Sequence, residues 1–360
     1  MSLNSTLILV QYHMNRYFTP ILLIFGVTGC FFNLILFSQR QFRHISCCTY
    51  FLFASLMMMF GLLLGLIPHV YSTYYSNPVD KQSIPCKFRG YFSQSFTMMY
   101  RWLMTMACID RYFSSSLNSH LRSLTNQRLA NRIITIVILL WIILPLHNLY
   151  FLDIKDGLCT ITRINFAIYH SFFTFSTGGL FPPLIMIVFI KLIHRNLVLK
   201  RKHRQRNVSQ RRKSSTFRLL YSRDHQVLLM LFVQVAFYIL TTIPWMIFIL
   251  YFSLTYHPGS ITTNRQIIQK FLRYFTEILL YLYPTLSFYV YTLTSKTFRR
   301  QFLNFICSSI CNRNQQKILM AKKQNQWQNE SRRSRKSSLI QLDTFGTFSD
   351  KTLSSNNNNE

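Results

Sequence analysis

Long apolar segments separated by basic loops constrain the fold of this chain more than any other feature. A helix needs about 20 apolar residues to cross a hydrocarbon core of roughly 30 Å, where no water can satisfy its backbone amides and carbonyls. Seven segments reach this length: Tyr17–Ser38, Cys47–Tyr71, Cys86–Phe113, Arg132–Tyr150, Ala167–Arg195, His225–Phe252 and Ile267–Leu293. The sequence therefore predicts an all-α membrane protein, folded as a seven-transmembrane helix bundle.

The composition favours a membrane location over a soluble one. Hydrophobic residues make up 50% of the chain and charged residues only 14%, whereas a typical soluble domain has about 25% charged residues. The net charge of +30 would also suit a nucleic-acid-binding protein. The charges, however, are concentrated between the apolar segments, so we expect a lipid bilayer and no nucleic acid as a partner.

The basic residues also set the expected orientation. Membrane insertion leaves an excess of lysine and arginine in cytoplasmic loops. With the N-terminus outside, thirty of the forty basic residues fall on the cytoplasmic side, most of them in the regions 191–223 and 296–351. The opposite orientation would carry both regions across the bilayer, so we expect the N-terminus outside and the C-terminus in the cytoplasm.

The expected outer side carries two signals for covalent modification. Cys86 opens the third segment and Cys159 follows the fourth. Because this side is oxidising, we interpret the two residues as a disulfide that holds a loop over the mouth of the bundle, with two free thiols as the alternative. Asn4 begins an Asn-Ser-Thr triplet, which predicts N-glycosylation of an external N-terminus.

The third segment combines Cys86 with a charged tripeptide, Asp110-Arg111-Tyr112. Arg111 lies twenty-five residues after Cys86, which is about 38 Å along a helix, so the two residues are expected at opposite membrane faces. With seven apolar segments and Cys159, this set resembles the rhodopsin-like (class A) G-protein-coupled receptors over about residues 17–307. Other matching features are Gly29, Asn33, Trp141, Pro182-Pro183, Pro244 and the run Ser295–Arg300.

The resemblance implies a plasma-membrane receptor that binds an extracellular ligand and activates a heterotrimeric G protein, with kinases and arrestin acting at its cytoplasmic face. It implies that Arg111 is held at rest by an acid of the sixth helix, a position that Asp224 matches. Asp110 is a second candidate partner, and Asp224 alternatively only balances the basic loop. The expected switch and coupling residues are Asp110, Arg111, Tyr112, Asp224, Pro244 and Tyr291.

Several positions depart from the family pattern. The second segment contains no Asp or Glu, so we expect no sodium site. Thr242 replaces the tryptophan two residues before Pro244, with Trp245 directly after it, and the seventh-helix signature keeps only Tyr291. These departures leave open a receptor-like protein that binds ligand as a decoy without coupling.

The expected organisation has four parts: an extracellular N-terminus (1–16), the bundle (17–293), a short amphipathic eighth helix (294–311) and a disordered cytoplasmic tail (312–360). The tail is poor in apolar residues and cannot bury enough surface to fold. Cys307 and Cys311 follow the amphipathic stretch and are candidates for palmitoylation. Ser214 and Ser337 follow basic runs of the kind that basophilic kinases prefer.

The ligand pocket is expected between the outer halves of the third, fifth, sixth and seventh helices. Ser93 and Thr97 share a helix face, as do Glu277 and Tyr281. Glu277 either meets a basic group of the ligand or pairs with Arg273, four residues earlier. The candidate ligand-binding residues are Ser93, Thr97, Trp245, Glu277 and Tyr281, with Tyr251 added to the pocket floor.

The expected outer face carries nine basic residues against four acidic ones, and such a surface attracts ligands with an acidic part. The basic outer face and the aromatic, weakly polar floor of the pocket together favour a short neuropeptide as agonist. A lipid or other small acid is the alternative. Arg101 lies mid-membrane, where it could snorkel, pair with Glu277 or contact carbonyls near Pro183. Each of these roles would make it a structural element of the core rather than a ligand contact.

Other functional classes fit the sequence less well. A secondary transporter would show paired halves with matching broken helices, and the sequence has no internal repeat. An enzyme would need a metal-spaced histidine pair or a phosphate-binding glycine loop, and neither is present. We therefore expect a receptor without enzymatic activity, cofactor or bound metal.

Overall fold

The computed structural model describes residues 3–39, 45–75, 79, 81–155, 158–208, 215–255 and 263–310. Four sequence predictions fall on parts that lie outside the described residues: Ser214, the side chain of Asp224, Cys311 and the tail 312–360. The chain divides into two units, Met1–Arg299 and Arg300–Glu360. Of the second unit, residues 300–310 are described, and all of them are helical.

The described chain is almost entirely helical. Its α-helices are α1 (Leu3–His13), α2 (Thr19–Ser38), α3 (Ser46–Tyr74), α4 (Ser83–Ser115), α5 (Ser119–Ser123), α6 (Gln127–Ile143), α7 (His147–Phe151), α8 (Ile164–Thr174), α9 (Phe181–Val208), α10 (Ser215–Thr255), α11 (Thr263–Thr294) and α12 (Lys296–Ile310). Consecutive helices are joined without a break by π-helical turns at Met14–Phe18 and Phe175–Leu180 and by a 3-10 turn at Leu144–Leu146. Each of the seven apolar segments lies inside one continuous helical run.

Among the described residues, five helical stretches are long and apolar enough to cross a membrane by length and composition. They are Asn4–Ser38, Ser46–Tyr74, Gln127–Phe151, Ile164–Lys200 and Leu231–Thr255. The helices α4 and α11 are more polar, since α4 carries Lys87, Arg89 and Arg101, and α11 carries several charges of its own. Seven membrane crossings therefore remain a prediction.

The long helices close into a ring. Helix α2 packs on α3, α3 on α4, α4 on α9, α9 on α10, α10 on α11, and α11 returns to α2, while α6 packs outside α3 and α4. The interior of α4 is the most crowded, with Met98, Leu103 and Ala107 completely buried. Below, the end of the bundle that carries Cys86 is called the Cys86 end, and the opposite one the Arg111 end.

Large apolar side chains point outward around the ring. Leu240 is 71% exposed, Ile24 62% and Ile143 61%. Water would penalise such a surface, whereas hydrocarbon chains of lipid accept it, so the outward faces suit a bilayer.

The structure contains two features that the sequence analysis did not predict. The first helical run begins at Leu3 rather than near Tyr17, because Leu7–Val10 already form an apolar helical stretch, so the residues expected as a separate N-terminus are largely helical. The loop after the fourth segment contains a β-hairpin. Its strands β1 (Leu152–Lys155) and β2 (Leu158–Ile161) pair antiparallel, with Ile154 opposite Cys159.

Candidate functional site

The hairpin is fixed to the Cys86 end of the bundle by a disulfide. Cys86, in the first turn of α4, is bonded to Cys159 of β2, with Cα atoms 5.6 Å apart. The Leu152 side chain fills the space that a side chain at Gly90 would need, so strand β1 lies directly against α4. Hydrogen bonds from Ser83 and from the Ile154 amide lower the pKa of the half-buried Asp153 carboxyl below its ordinary value. The predicted disulfide is therefore present, and it pairs the hairpin with α4.

Within the same half of the bundle lies a cavity of about 70 Å³. All five side chains that the sequence marks as ligand-binding candidates line it: Ser93, Thr97, Trp245, Glu277 and Tyr281. Five further lining residues were not assigned to the pocket from the sequence: Gln94, Met98, Arg101, Thr174 and Leu280. Tyr251 is 46% exposed and is not part of the lining, because its position on α10 faces away from the interior.

Polar side chains join the helices around this cavity. The Gln94 amide donates to the Thr174 hydroxyl at 3.1 Å, which links α4 to α8. The hydroxyls of Ser93 and Tyr281 lie 3.5 Å apart and link α4 to α11. The spacing of helix faces predicts that Ser93 and Tyr281 point inward, but only the hydrogen bond between α4 and α8 reveals Gln94.

Glu277 forms an ion-pair cluster with residues of two other helices. Its Oε1 lies 3.1 Å from Nη2 of Arg89 on α4 and 3.5 Å from Nε2 of His69 on α3. The same Arg89 nitrogen also donates to the backbone carbonyl of Gly65 at 3.2 Å. Arg273, the partner considered from sequence, donates to the Cys159 carbonyl at 3.4 Å. The cluster connects α3, α4 and α11 at the cavity.

Glu277→Gln is expected to lower the stability of the folded protein by about 1–3 kcal/mol, less than the 3–5 kcal/mol of a fully buried pair because this one keeps some solvent contact. The substitution leaves Arg89 partly buried without its countercharge. Thermal unfolding of detergent-solubilised protein measures the effect.

In a double-mutant cycle, the Arg89→Gln/Glu277→Gln protein is expected to lose less stability than the sum of the losses in the two single variants, because each substitution removes the same ion pair. Asp153→Asn, which neutralises a half-buried acid of the hairpin that forms no ion pair within the described residues, is the matched control and should have the smaller effect. Strict additivity of the two cluster variants would show that the ion pair does not stabilise the fold.

Arg101 is the most unusual residue of the cavity lining. It is only 1% exposed, and none of its three guanidinium nitrogens has a hydrogen-bond partner among the described residues. The rings of Tyr100 and Tyr238 lie 5.9 and 5.7 Å from its guanidinium carbon. None of the three roles predicted from the sequence is observed among the described residues. Snorkelling is wrong because the side chain is buried within the bundle, and the guanidinium neither pairs with Glu277 nor donates to a backbone carbonyl.

The Arg111 end contains the tripeptide of α4. Both carboxylate oxygens of Asp110 accept hydrogen bonds from the Ser46 hydroxyl at 2.8 Å, which ties α4 to the start of α3. The Nε of Arg111 is buried without a hydrogen-bond partner among the described residues, and its side chain lies beside the thiol of Cys47. Asp110 is thus engaged by Ser46, and in the described part of the chain Arg111 forms no ion pair.

The remaining residues of the expected switch are packed between helices. Tyr112 contacts the Phe189 ring of α9 at a centroid distance of 5.3 Å. Tyr291 is 1% exposed and contacts the rings of Phe51 at 5.8 Å and Phe298 at 5.9 Å. Pro244 lies inside α10. The structure places these side chains in the bundle but does not bring them into one cluster.

Two candidate modification sites are also described. Asn4 is half-buried in α1, and its side-chain amide donates to Asn264 at 2.6 Å. Cys307, in α12, is an exposed free cysteine.

The comparison with protein families decides the class of this protein. The model of the seven-transmembrane receptors of the rhodopsin family matches residues 23–291, which cover the helical bundle from α2 to Tyr291. The chain belongs to this family. A comparison with curated proteins finds no match.

Membership establishes the general role of this receptor. Rhodopsin-family proteins are receptors and not enzymes, and this one is a multi-pass protein of the plasma membrane. The family implies an extracellular ligand and a heterotrimeric G protein as partners.

Proposed function

We propose that this receptor binds a short peptide at the Cys86 end and activates a G protein at the Arg111 end. The cavity carries this proposal, because five side chains chosen from sequence alone line one space inside the helix ring. In the proposed topology seven helical runs cross the membrane, with the N-terminus outside and α12 as the amphipathic eighth helix. The positive-inside distribution of lysine and arginine supports this orientation.

A peptide fits the cavity better than a small amine. Glu277 is the only acid that the described residues contribute to the lining, and it is already paired with Arg89 and His69, so an amine would have to displace those partners. The Trp245 and Tyr281 rings offer an aromatic, weakly polar surface to a peptide side chain. A cavity of about 70 Å³ is small compared with the roughly 300–1,000 Å³ of drug-sized sites, so only the end of a ligand would enter it.

Coupling would depend on a change of partner at Arg111. In the proposed resting state its guanidinium contacts Asp224 of α10, and an agonist favours the arrangement in which α10 has moved outward. The agonist can shift the population only by the ratio of its affinities for the two arrangements. The absence of an ion pair at Arg111 within the described residues leaves its guanidinium available for such an exchange.

Regulation by phosphorylation would act on the cytoplasmic face, where the Arg111 end of the bundle lies in the proposed topology. Phosphate added by kinases near Ser214 or Ser337 would bring about −1.5 to −2 charge to a basic surface that otherwise favours anionic lipid, and arrestin would recognise it. Palmitoylation of Cys307 and Cys311 would hold α12 at the bilayer, and Asn4 would carry a glycan outside.

The alternative function is that of a decoy. The protein would be a decoy if Thr242 and the altered seventh-helix signature prevented coupling to the G protein.

Thr97→Phe tests the proposed binding site. Thr97 is 8% exposed and lines the cavity, so a phenyl ring at this position would occupy the space that the ligand needs. We expect the response to an agonist identified from a peptide library to fall by at least about 10-fold in potency, equivalent to roughly 1.4 kcal/mol. G-protein activation in cells, normalised to surface expression, measures it.

Thr28→Phe is the matched control, because it makes the same change on an exposed, outward face of α2. It should leave potency unchanged. An agonist response in Thr97→Phe equal to that of the control, at equal surface expression, would remove the cavity from the mechanism. A parallel lipid library tests the alternative ligand class.

A further inference from the structure

We infer that Arg101 forms an anion-binding subsite at the cavity, which receives a carboxylate carried on an apolar stem of the ligand. This inference rests on the proposed function, because it specifies which chemical group the proposed ligand places in the cavity. It starts from a guanidinium that is fully enclosed by the bundle and has no anionic or hydrogen-bonding partner among the described residues.

A buried charge without a partner is costly, and folded proteins pair nearly all of them. Arg101 is 1% exposed, lines the cavity, and donates no hydrogen bond from Nε, Nη1 or Nη2 within the described chain. The rings of Tyr100 and Tyr238 attract the cation through their faces, but none of its five N–H groups forms a hydrogen bond with their hydroxyls. The donors are therefore available to a group that enters the cavity.

The bundle leaves room for the guanidinium rather than excluding it. A side chain at Gly178, in the π-helical turn before α9, would place its Cβ 2.5 Å from Nη1 of Arg101. The Gly178 carbonyl accepts a hydrogen bond from the Tyr238 hydroxyl instead of from Arg101. The absence of a side chain at this position thus makes space for the cation beside the cavity.

The charges of the cavity lining favour an anion. The lining contains one acid, Glu277, and one other charged residue, Arg101. The Glu277 carboxylate is held by Arg89 and His69, which leaves the positive charge of Arg101 uncompensated. A carboxylate matches the planar fork of the guanidinium with two parallel N–H···O bonds.

The neighbouring side chains define the rest of the group. Met98, Trp245 and Leu280 provide apolar surface around the cavity, and Thr97 provides a hydroxyl. The volume of about 70 Å³ suits a carboxylate with the first atoms of an apolar stem. Such a group occurs at the free C-terminus of a peptide that ends in an apolar residue, and at the head of a fatty acid.

Thermal unfolding of the purified receptor in lipid nanodiscs tests the subsite without a G protein. The probes are 3-phenylpropionate and its neutral amide at equal millimolar concentration. We expect the acid to raise the unfolding midpoint by roughly 2–4 °C and the amide to leave it unchanged. Arg101→Gln should abolish the shift, whereas Arg132→Gln, which removes an exposed arginine of α6, should retain it.

The unliganded Arg101→Gln protein should unfold at or above the wild-type temperature, because the substitution removes an unpaired buried charge. A marked loss of stability would identify Arg101 as a structural ion and overturn the inference. Equal shifts with acid and amide in the wild-type protein would also overturn it, and this comparison needs no variant. If the acid still raised the unfolding midpoint of the Arg101→Gln protein, the inference would likewise be overturned.

Receptor activation in cells distinguishes the two sources of the carboxylate. One series compares peptides with a free C-terminus against the same peptides as amides, and the other compares fatty acids against their methyl esters. If one of the two series contains compounds that activate the receptor, the acid forms of that series should be the active ones. Their potency should fall by about 10–100-fold on the Arg101→Gln receptor. Neutral forms as potent as the acids would overturn the subsite, whereas binding of acids without activation would contradict only the proposed coupling.

Discussion

Arg111→Ala is expected to reduce agonist-stimulated nucleotide exchange on the G protein to the basal level, a loss of at least about 10-fold, or roughly 1.4 kcal/mol of coupling free energy. Arg111 lies at the end of α4 opposite the disulfide, and among the described residues it has no ion-pair partner. A guanidinium offers five N–H donors in a rigid fork, which a neutral methyl group cannot replace. Ligand binding at the Cys86 end should stay near wild type.

Arg122→Ala is the control for this prediction, because it removes an exposed arginine of α5 beyond the same end of the bundle. Asp224→Ala, in the same assay, should raise basal exchange by releasing Arg111 from its proposed resting partner. Agonist-stimulated exchange that persists in Arg111→Ala at equal surface expression would remove this residue from the coupling mechanism. Basal exchange unchanged in Asp224→Ala would remove only the proposed resting contact.

Cys86→Ala is expected to destabilise the receptor by about 2–5 kcal/mol and to remove most of it from the cell surface. The disulfide joins residues 73 positions apart and fixes the hairpin to the first turn of α4. Without it, the hairpin can leave the Cys86 end, and the Cys159 carbonyl no longer holds Arg273 of α11. Flow cytometry of intact cells and thermal unfolding of the solubilised protein measure the two effects.

Cys159→Ala should match Cys86→Ala, and the double variant should be no worse than either, because all three lack the same bond. Cys48→Ala is the control, since Cys48 is a buried free thiol of α3 and loses only packing. If alkylation and mass spectrometry of non-reduced native protein found both Cys86 and Cys159 as thiols, the disulfide would be rejected.

Much of the architecture follows from local sequence patterns. Each apolar segment lies within a continuous helix. Such helices are predictable from sequence, because the length needed to cross the hydrocarbon core and the hydrogen bonds of the helix backbone depend only on residues close together in the chain. The disulfide was predictable because topology leaves only Cys86 and Cys159 on the oxidising side. Ser93 with Thr97, and Glu277 with Tyr281, could be placed on inward faces from their spacing along one helix.

Contacts between distant helices could not be predicted in this way. Spacing suggests Arg273 as a partner for Glu277, but it does not reveal Arg89, which forms an ion pair with Glu277 from 188 residues away in sequence. Helix periodicity predicts which residues share a face of one helix, but it does not predict which other helix packs against that face. The same holds for Arg101, whose burial depends on the close approach of Gly178, and for Tyr251, which α10 turns outward.

Nucleotide exchange by a purified heterotrimeric G protein, with the receptor in lipid nanodiscs and a ligand that binds it saturably, tests the proposed receptor function most directly. The ligand should accelerate exchange, Thr97→Phe should remove the acceleration by preventing binding, and Arg111→Ala should remove it while binding persists. Saturable binding to the wild-type receptor without any acceleration, across the available heterotrimers, would refute the proposed function and identify the protein as a decoy.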